Sequence, residues 1–172
     1  MPAPTPNSSE RDWPLFLVFV VLLGLALWFT TRGWHASILD RHEFRQTQTA
    51  ISTYWIKEAG FHLNYETPLF GPPWSIPMEF PLYQWLVAST SSILGSGLES
   101  SARGVSLFFF FATLPAVYGL CGLINLAPSR RFLVLGVILT SPTYLFWART
   151  FMIETTALCL ATWFLYALVR AV

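Results

Sequence analysis

The sequence predicts an all-α membrane protein, and three observations carry that prediction. Apolar residues make up 54% of the 172 and charged residues only 11%, with a mean hydropathy of +0.52, so water is not the chain's main solvent. Several uncharged runs approach the roughly 20 residues needed to cross a bilayer. The ionisable groups collect between those runs, most densely in "DRHEFRQTQTA", residues 40–50.

Taken in order, residues 1–12 are Pro- and Ser-rich and are expected to be a disordered cytoplasmic N-terminus. They lack a basic n-region and a small-residue cleavage site, so the run 13–31 reads as an uncleaved first transmembrane helix. Further spans are expected over 104–128, 132–148 and 155–169. The stretch 80–98 differs, because Ser89, Thr90, Ser91 and Ser92 put a full turn of hydroxyls in it and Gly95 and Gly97 follow. It reads as a helix near 81–96 lying at the membrane surface. Arg130 and Arg131 in the short loop "APSRR" favour the cytoplasm by the positive-inside tendency. With the N-terminus inside, that is met only if 80–98 does not cross. The expected arrangement is therefore about four transmembrane helices: 13–31, then a large external loop over 32–103 with two juxtamembrane helices, then three further spans in 104–172. Asp40, Glu43, Glu79 and Glu154 all emerge on the external face.

Within that loop, residues 43–59 read as an amphipathic helix stopped by Gly60. Phe44, Ile51, Tyr54 and Trp55 form an apolar side suited to lipid, and Arg45, Gln46, Thr49, Ser52 and Thr53 form a polar stripe suited to a cavity. Residues 65–81 hold five prolines and several aromatic side chains, and read either as a rigid aromatic wall or as a collar at the membrane surface.

Charged groups beside hydrocarbon are costly and are functional candidates by default. Asp40, in the junction before the helix, reads as a general base taking a proton from an attacking hydroxyl or amine, or as a helix cap or partner of Arg41 or Arg45. Glu43 offers the same chemistry, or simply complements the helix dipole. Arg45, Gln46 and Arg149 are candidates for holding substrate, the arginines through two-pronged bonds to phosphate, with snorkelling or acid pairing as the alternative. Glu79 and Glu154 join them through the topology. His35, His42 and His62 lack ligand-like spacing, so no metal-ligand set is identified and the cofactor is left open, a divalent metal included. Cys121 and Cys159 lie in apolar runs and read as packing residues. A formal charge of +1 gives no field for nucleic acid.

On these residues the chain resembles the GT-C class of membrane glycosyltransferases, in the bacterial branch similar to protein O-mannosyltransferases and lipid A aminoarabinose transferases. The resemblance runs through the first anchor, "DRHEFRQTQTA", Gly60, "MEFPLYQWLVA", "SARGVSLFFFF" and "SPTYLFWARTFMIE". It implies transfer of a sugar from a polyprenyl-phosphate carrier to a glycan, lipid or protein acceptor, on the periplasmic or extracellular face of the bacterial inner membrane. It also implies an acid of the first external loop as base, with Glu79 and Glu154 helping to build the site. The family's acidic pair usually precedes the helix directly, whereas here Arg41 and His42 separate Asp40 from Glu43 and a gapless count back from Ala50 lands on Arg45, so the resemblance does not assign the base to one acid. Family chains are longer, so this one reads as their N-terminal part, a fragment or truncated reading frame. A noncatalytic membrane subunit that binds lipid-linked saccharide or a partner protein is the alternative. A transporter fits less well, because the polar groups lie at one surface and not at the midplane.

Overall fold

The computed structural model describes residues 8–39, 41–67 and 79–171, with side chains from Trp13 onward. Among these there are helices and no strands: α1 (Ser8–Arg32), α2 (Glu43–Ala59), α3 (Leu82–Leu94), α4 (Leu98–Leu123), α5 (Pro128–Thr140), α6 (Pro142–Trp147) and α7 (Glu154–Ala171). Two of them are long and apolar enough to cross a membrane: α1 over Trp13–Arg32, with mean hydropathy 2.3, and α4, with 1.8. Helix α1 begins at Ser8, inside the stretch 1–12 expected to be disordered; residues 1–7 lie outside the described residues.

Spacing explains how the long helices pair. Phe19, Leu22, Leu23 and Ala26 recur at helical intervals on one side of α1 and pack with Leu135 and Leu139 of α5 and with Phe110 and Leu114 of α4. Gly136 permits the close approach of α1 and α5, since a Cβ there would lie 2.9 Å from Leu22 Cδ1. The other side of α1 carries exposed Val18, Val21, Leu25 and Trp28, a surface suited to lipid. Helix α7 packs along α4, where Trp163 Nε1 donates to the Ala112 carbonyl at 2.9 Å.

The same pair meets tightly at Gly119, where a Cβ would lie 2.6 Å from the Tyr166 ring. Gly119→Ala is therefore expected to destabilise the protein by about 1–3 kcal/mol through forced displacement of that ring. In a Tyr166→Ala background the same glycine substitution should cost much less, because the ring that the Cβ would meet is gone. Thermal unfolding in detergent checks both, and equal midpoints for parent and Gly119→Ala would refute the tight contact.

The stretch 132–148, expected as one span, is divided between α5 and α6. Pro142 has no N–H to give and pushes the residue before it out of the helical region, so Ser141 is extended at φ −67° and ψ 116°. The Ser141 hydroxyl then accepts from Tyr144 N–H and starts α6. The 13 residues of α5 rise about 20 Å.

A second layer caps one end of this group. Its core is Tyr83 and Val87 of α3, Ala102 and Val105 of α4, and Phe151 from the segment before α7. A smaller cluster joins α2 and α3 through Ile56, Tyr65 and Ala88. Helix α2 packs on this layer with its polar stripe inward: Gln46, Thr49, Ser52, Thr53 and Ile56 are buried, while Phe44 and Tyr54 are exposed. Apart from Arg45, whose side chain stays about 40% exposed, the stripe expected to line a cavity is thus closed over by protein. Thr49 and Thr53 donate to the carbonyls of Arg45 and Thr49 one turn back, so their small side chains satisfy themselves and α3 can approach.

Candidate functional site

The site is assembled at the end of the bundle where α1 finishes and α4 and α7 begin. Arg45, in the first turns of α2, places Nη1 2.6 Å from Glu79 Oε1 and Nη2 3.5 Å from Glu154 Oε1. Three segments remote in sequence therefore meet on one guanidinium. Glu79 sits just ahead of α3, and its backbone is gripped by Tyr65, whose hydroxyl lies 3.2 Å from the Glu79 carbonyl and 3.4 Å from its N–H. Its other carboxylate oxygen accepts from Gln84 Nε2 at 3.4 Å. Glu154 opens α7, where the helix dipole favours an acid.

Glu154 is held in position by the segment that leads to it. Phe151 N–H donates to Gln46 Oε1 at 3.1 Å, and the Ser106 hydroxyl of α4 donates to the Thr150 carbonyl at 2.9 Å. Gln46 also donates through Nε2 to the Arg41 carbonyl at 2.9 Å. It is 2% exposed, so this expected substrate ligand is placed as a buried bracket between the entry to α2 and the entry to α7. Tyr83 donates to the Ala102 carbonyl and pairs with Ser106, tying α3 to the same bracket. Burial pushes its phenol well up from the ordinary range, so it stays a neutral donor.

Electrically, one guanidinium stands between two carboxylates, a formal sum of −1. Burial pulls the Arg45 guanidinium down, but the charges and hydrogen bonds of Glu79 and Glu154 outweigh it and hold it above the ordinary arginine range. The cluster also lacks donors: Glu154 Oε2 and Gln84 Oε1 are both buried and make no hydrogen bond among the described residues. Buried acceptors of this kind normally find a donor, such as a hydroxyl or an ammonium group.

Asp40 lies outside the described residues, as does most of the wall expected over 65–81. Glu43 is exposed in the first turn of α2 and makes no ion pair among the described residues. Arg149 is not part of the carboxylate cluster; its guanidinium lies over Gly33, where a Cβ would come within 2.8 Å of Nη1. Arg41 and His42, at the entry to α2, both adopt left-handed backbone conformations, φ 49° and 52°. For side-chain-bearing residues this costs energy and marks a segment held by its surroundings. Among the described residues no three His, Cys, Asp or Glu side chains are grouped so as to hold a metal ion.

Gln84, Tyr65 and Arg103 were not singled out from sequence. Gln84 had a signal, being the one amide in the apolar opening of α3, and so had Arg103, the one charge beside the "FFFF" run of α4. Arg103 is 3% exposed and donates to the carbonyls of Gly33, at 2.5 Å, and Ala36. It fixes the turn by which the chain leaves α1. No family model, no curated protein and no solved structure matches this chain.

Proposed function

We propose that the chain is a membrane glycosyltransferase module that moves a sugar from a polyprenyl-phosphate carrier to a hydroxyl- or amine-bearing acceptor. The observation that carries the reading is the meeting of Arg45, Glu79 and Glu154 at the end of an apolar bundle, with buried acceptor atoms on Glu154 and Gln84 that have no donor among the described residues. In this reading α1, α4, the α5–α6 pair and α7 form a four-span arrangement in the bacterial inner membrane. Residues 32–103 then lie on the periplasmic or extracellular face, together with Glu154.

A carboxylate takes the proton of the acceptor O–H as its oxygen bonds to the anomeric carbon. The bond from that carbon to the carrier phosphate breaks, and its electron pair stays on the phosphate oxygen. Asp40 and Glu154 are the acids proposed for the proton. Arg45, anchored by both acids and about 40% exposed, is the cation proposed to face the departing phosphate.

The purified full chain in lipid nanodiscs is expected to transfer labelled sugar from a polyprenyl-phosphate donor. Loss of a general base should lower kcat about a hundredfold or more. Glu154→Gln and Asp40→Asn identify which acid serves. Full turnover in both variants would sink the base assignment, and a folded parent without transfer would favour a noncatalytic subunit that binds lipid-linked saccharide.

A further inference from the structure

We propose a second site, independent of the transfer reading: a seat for an anionic phospholipid in the cleft between the end of α1 and the α5–α6 corner. The cavity measures about 420 Å³, and Phe29, Pro142, Leu145 and Phe146 give it apolar walls while Arg41 and Arg149 supply its charge.

Its level in the membrane argues for a headgroup. Phe29 lies in the last turn of α1, whose apolar run closes at Arg32, so the cavity sits where hydrocarbon gives way to polar surface. Its electrostatics argue for an anion. The two ion pairs among the described residues both belong to Arg45, and neither Arg41 nor Arg149 has an acid partner there. Two guanidiniums at the rim of an apolar cavity, with no acid paired to either among the described residues, attract an anion, and a phosphate accepts forked bonds from both.

The walls distinguish a lipid from a free anion. Phe29 is 51% exposed, and the cavity surface below the arginines is chiefly apolar, which a soluble phosphate would leave wet and an acyl chain would cover. The geometry is also held in advance. Gly33 makes room for the Arg149 guanidinium, the break at Ser141–Pro142 sets Pro142 in the cavity wall, and Gln46 fixes the Arg41 carbonyl. Basic pockets between membrane helices at headgroup level bind lipids by this combination of charge and chain.

The test measures retained lipid by native mass spectrometry of the purified full chain, after equilibration with phosphatidylglycerol or phosphatidylcholine. Phosphatidylglycerol should be retained preferentially. Folded Arg41→Gln and Arg149→Gln should each weaken retention about fivefold. Leu145→Trp, which fills the cavity and keeps both charges, should weaken it as well, and Arg130→Gln, in the loop between α4 and α5, should not. Arg41 is exposed, so its variant is expected to fold. Equal retention of the two lipids, displacement of phosphatidylglycerol by inorganic phosphate, or undiminished retention in Arg41→Gln and Leu145→Trp would each overturn the proposal.

Discussion

Arg45→Met is expected to abolish sugar transfer and to lower stability by about 1–3 kcal/mol. The loss of one member of a fully buried ion pair costs about 3–5 kcal/mol, and the partial exposure of Arg45 brings that down through solvent screening. What remains after the substitution is two carboxylates, 12% and 25% exposed, facing one another with no cation between them. Arg45→Lys should recover only part of the loss, because a single ammonium cannot span the two acids as the planar fork does. The guanidinium is raised when folded. Its contribution is therefore present below the unfolded pKa and would fade only as pH rises through the still higher folded one. The penalty should accordingly be flat between about pH 6 and 9.

A double-mutant cycle isolates the contact. Arg45→Met with Glu79→Gln should be about 1–2 kcal/mol more stable than the sum of the single losses, since the second change removes a charge that the first left unpaired. Strict additivity in thermal unfolding would mean that the 2.6 Å contact contributes nothing in solution.

That contact also marks where the sequence stopped being informative. Helix α2 was legible because its period and the Gly60 stop are local signals, and the cluster of ionisable groups at its start was visible by contrast with the apolar runs around it. The partner of Arg45 was not legible. A forked cation suits a phosphate and a carboxylate equally, and although the expected topology put Glu79 and Glu154 on the same face, only the folded arrangement shows which of its acids Arg45 pairs with. Gln46 was ambiguous for a similar reason. An amide on a polar stripe suits a ligand or a backbone, and here it is occupied by Phe151 N–H and the Arg41 carbonyl. The division of 132–148 was within reach of local reasoning, because "TSP" places a proline where the helix must break. Hydropathy summed over the whole run hid it. The number and direction of the spans are a different matter, since they depend on lipid and on charge bias across a membrane.

Arg103 gives the largest stability effect expected of any single change. It is almost wholly enclosed and has no ion-pair partner among the described residues, so its charge is met by the carbonyl dipoles of Gly33 and Ala36. Arg103→Met removes two charge-assisted hydrogen bonds, leaves the Ala36 carbonyl without this donor and the Gly33 carbonyl with the Ala36 N–H alone, and loosens the segment between α1 and α2; a loss of about 3–5 kcal/mol is expected. Arg103→Lys should lie between the two, because one ammonium on a shorter reach meets one carbonyl better than both. The consequence extends beyond stability. Gly33 is held from one side by Arg103 and covered on the other by Arg149, so releasing it should also loosen the Arg149 guanidinium from its cavity. Phosphatidylglycerol retention in Arg103→Lys should then fall while Arg41 and Arg149 are both intact. An unfolding midpoint for Arg103→Met equal to that of the parent would show that the turn after α1 holds without this clamp.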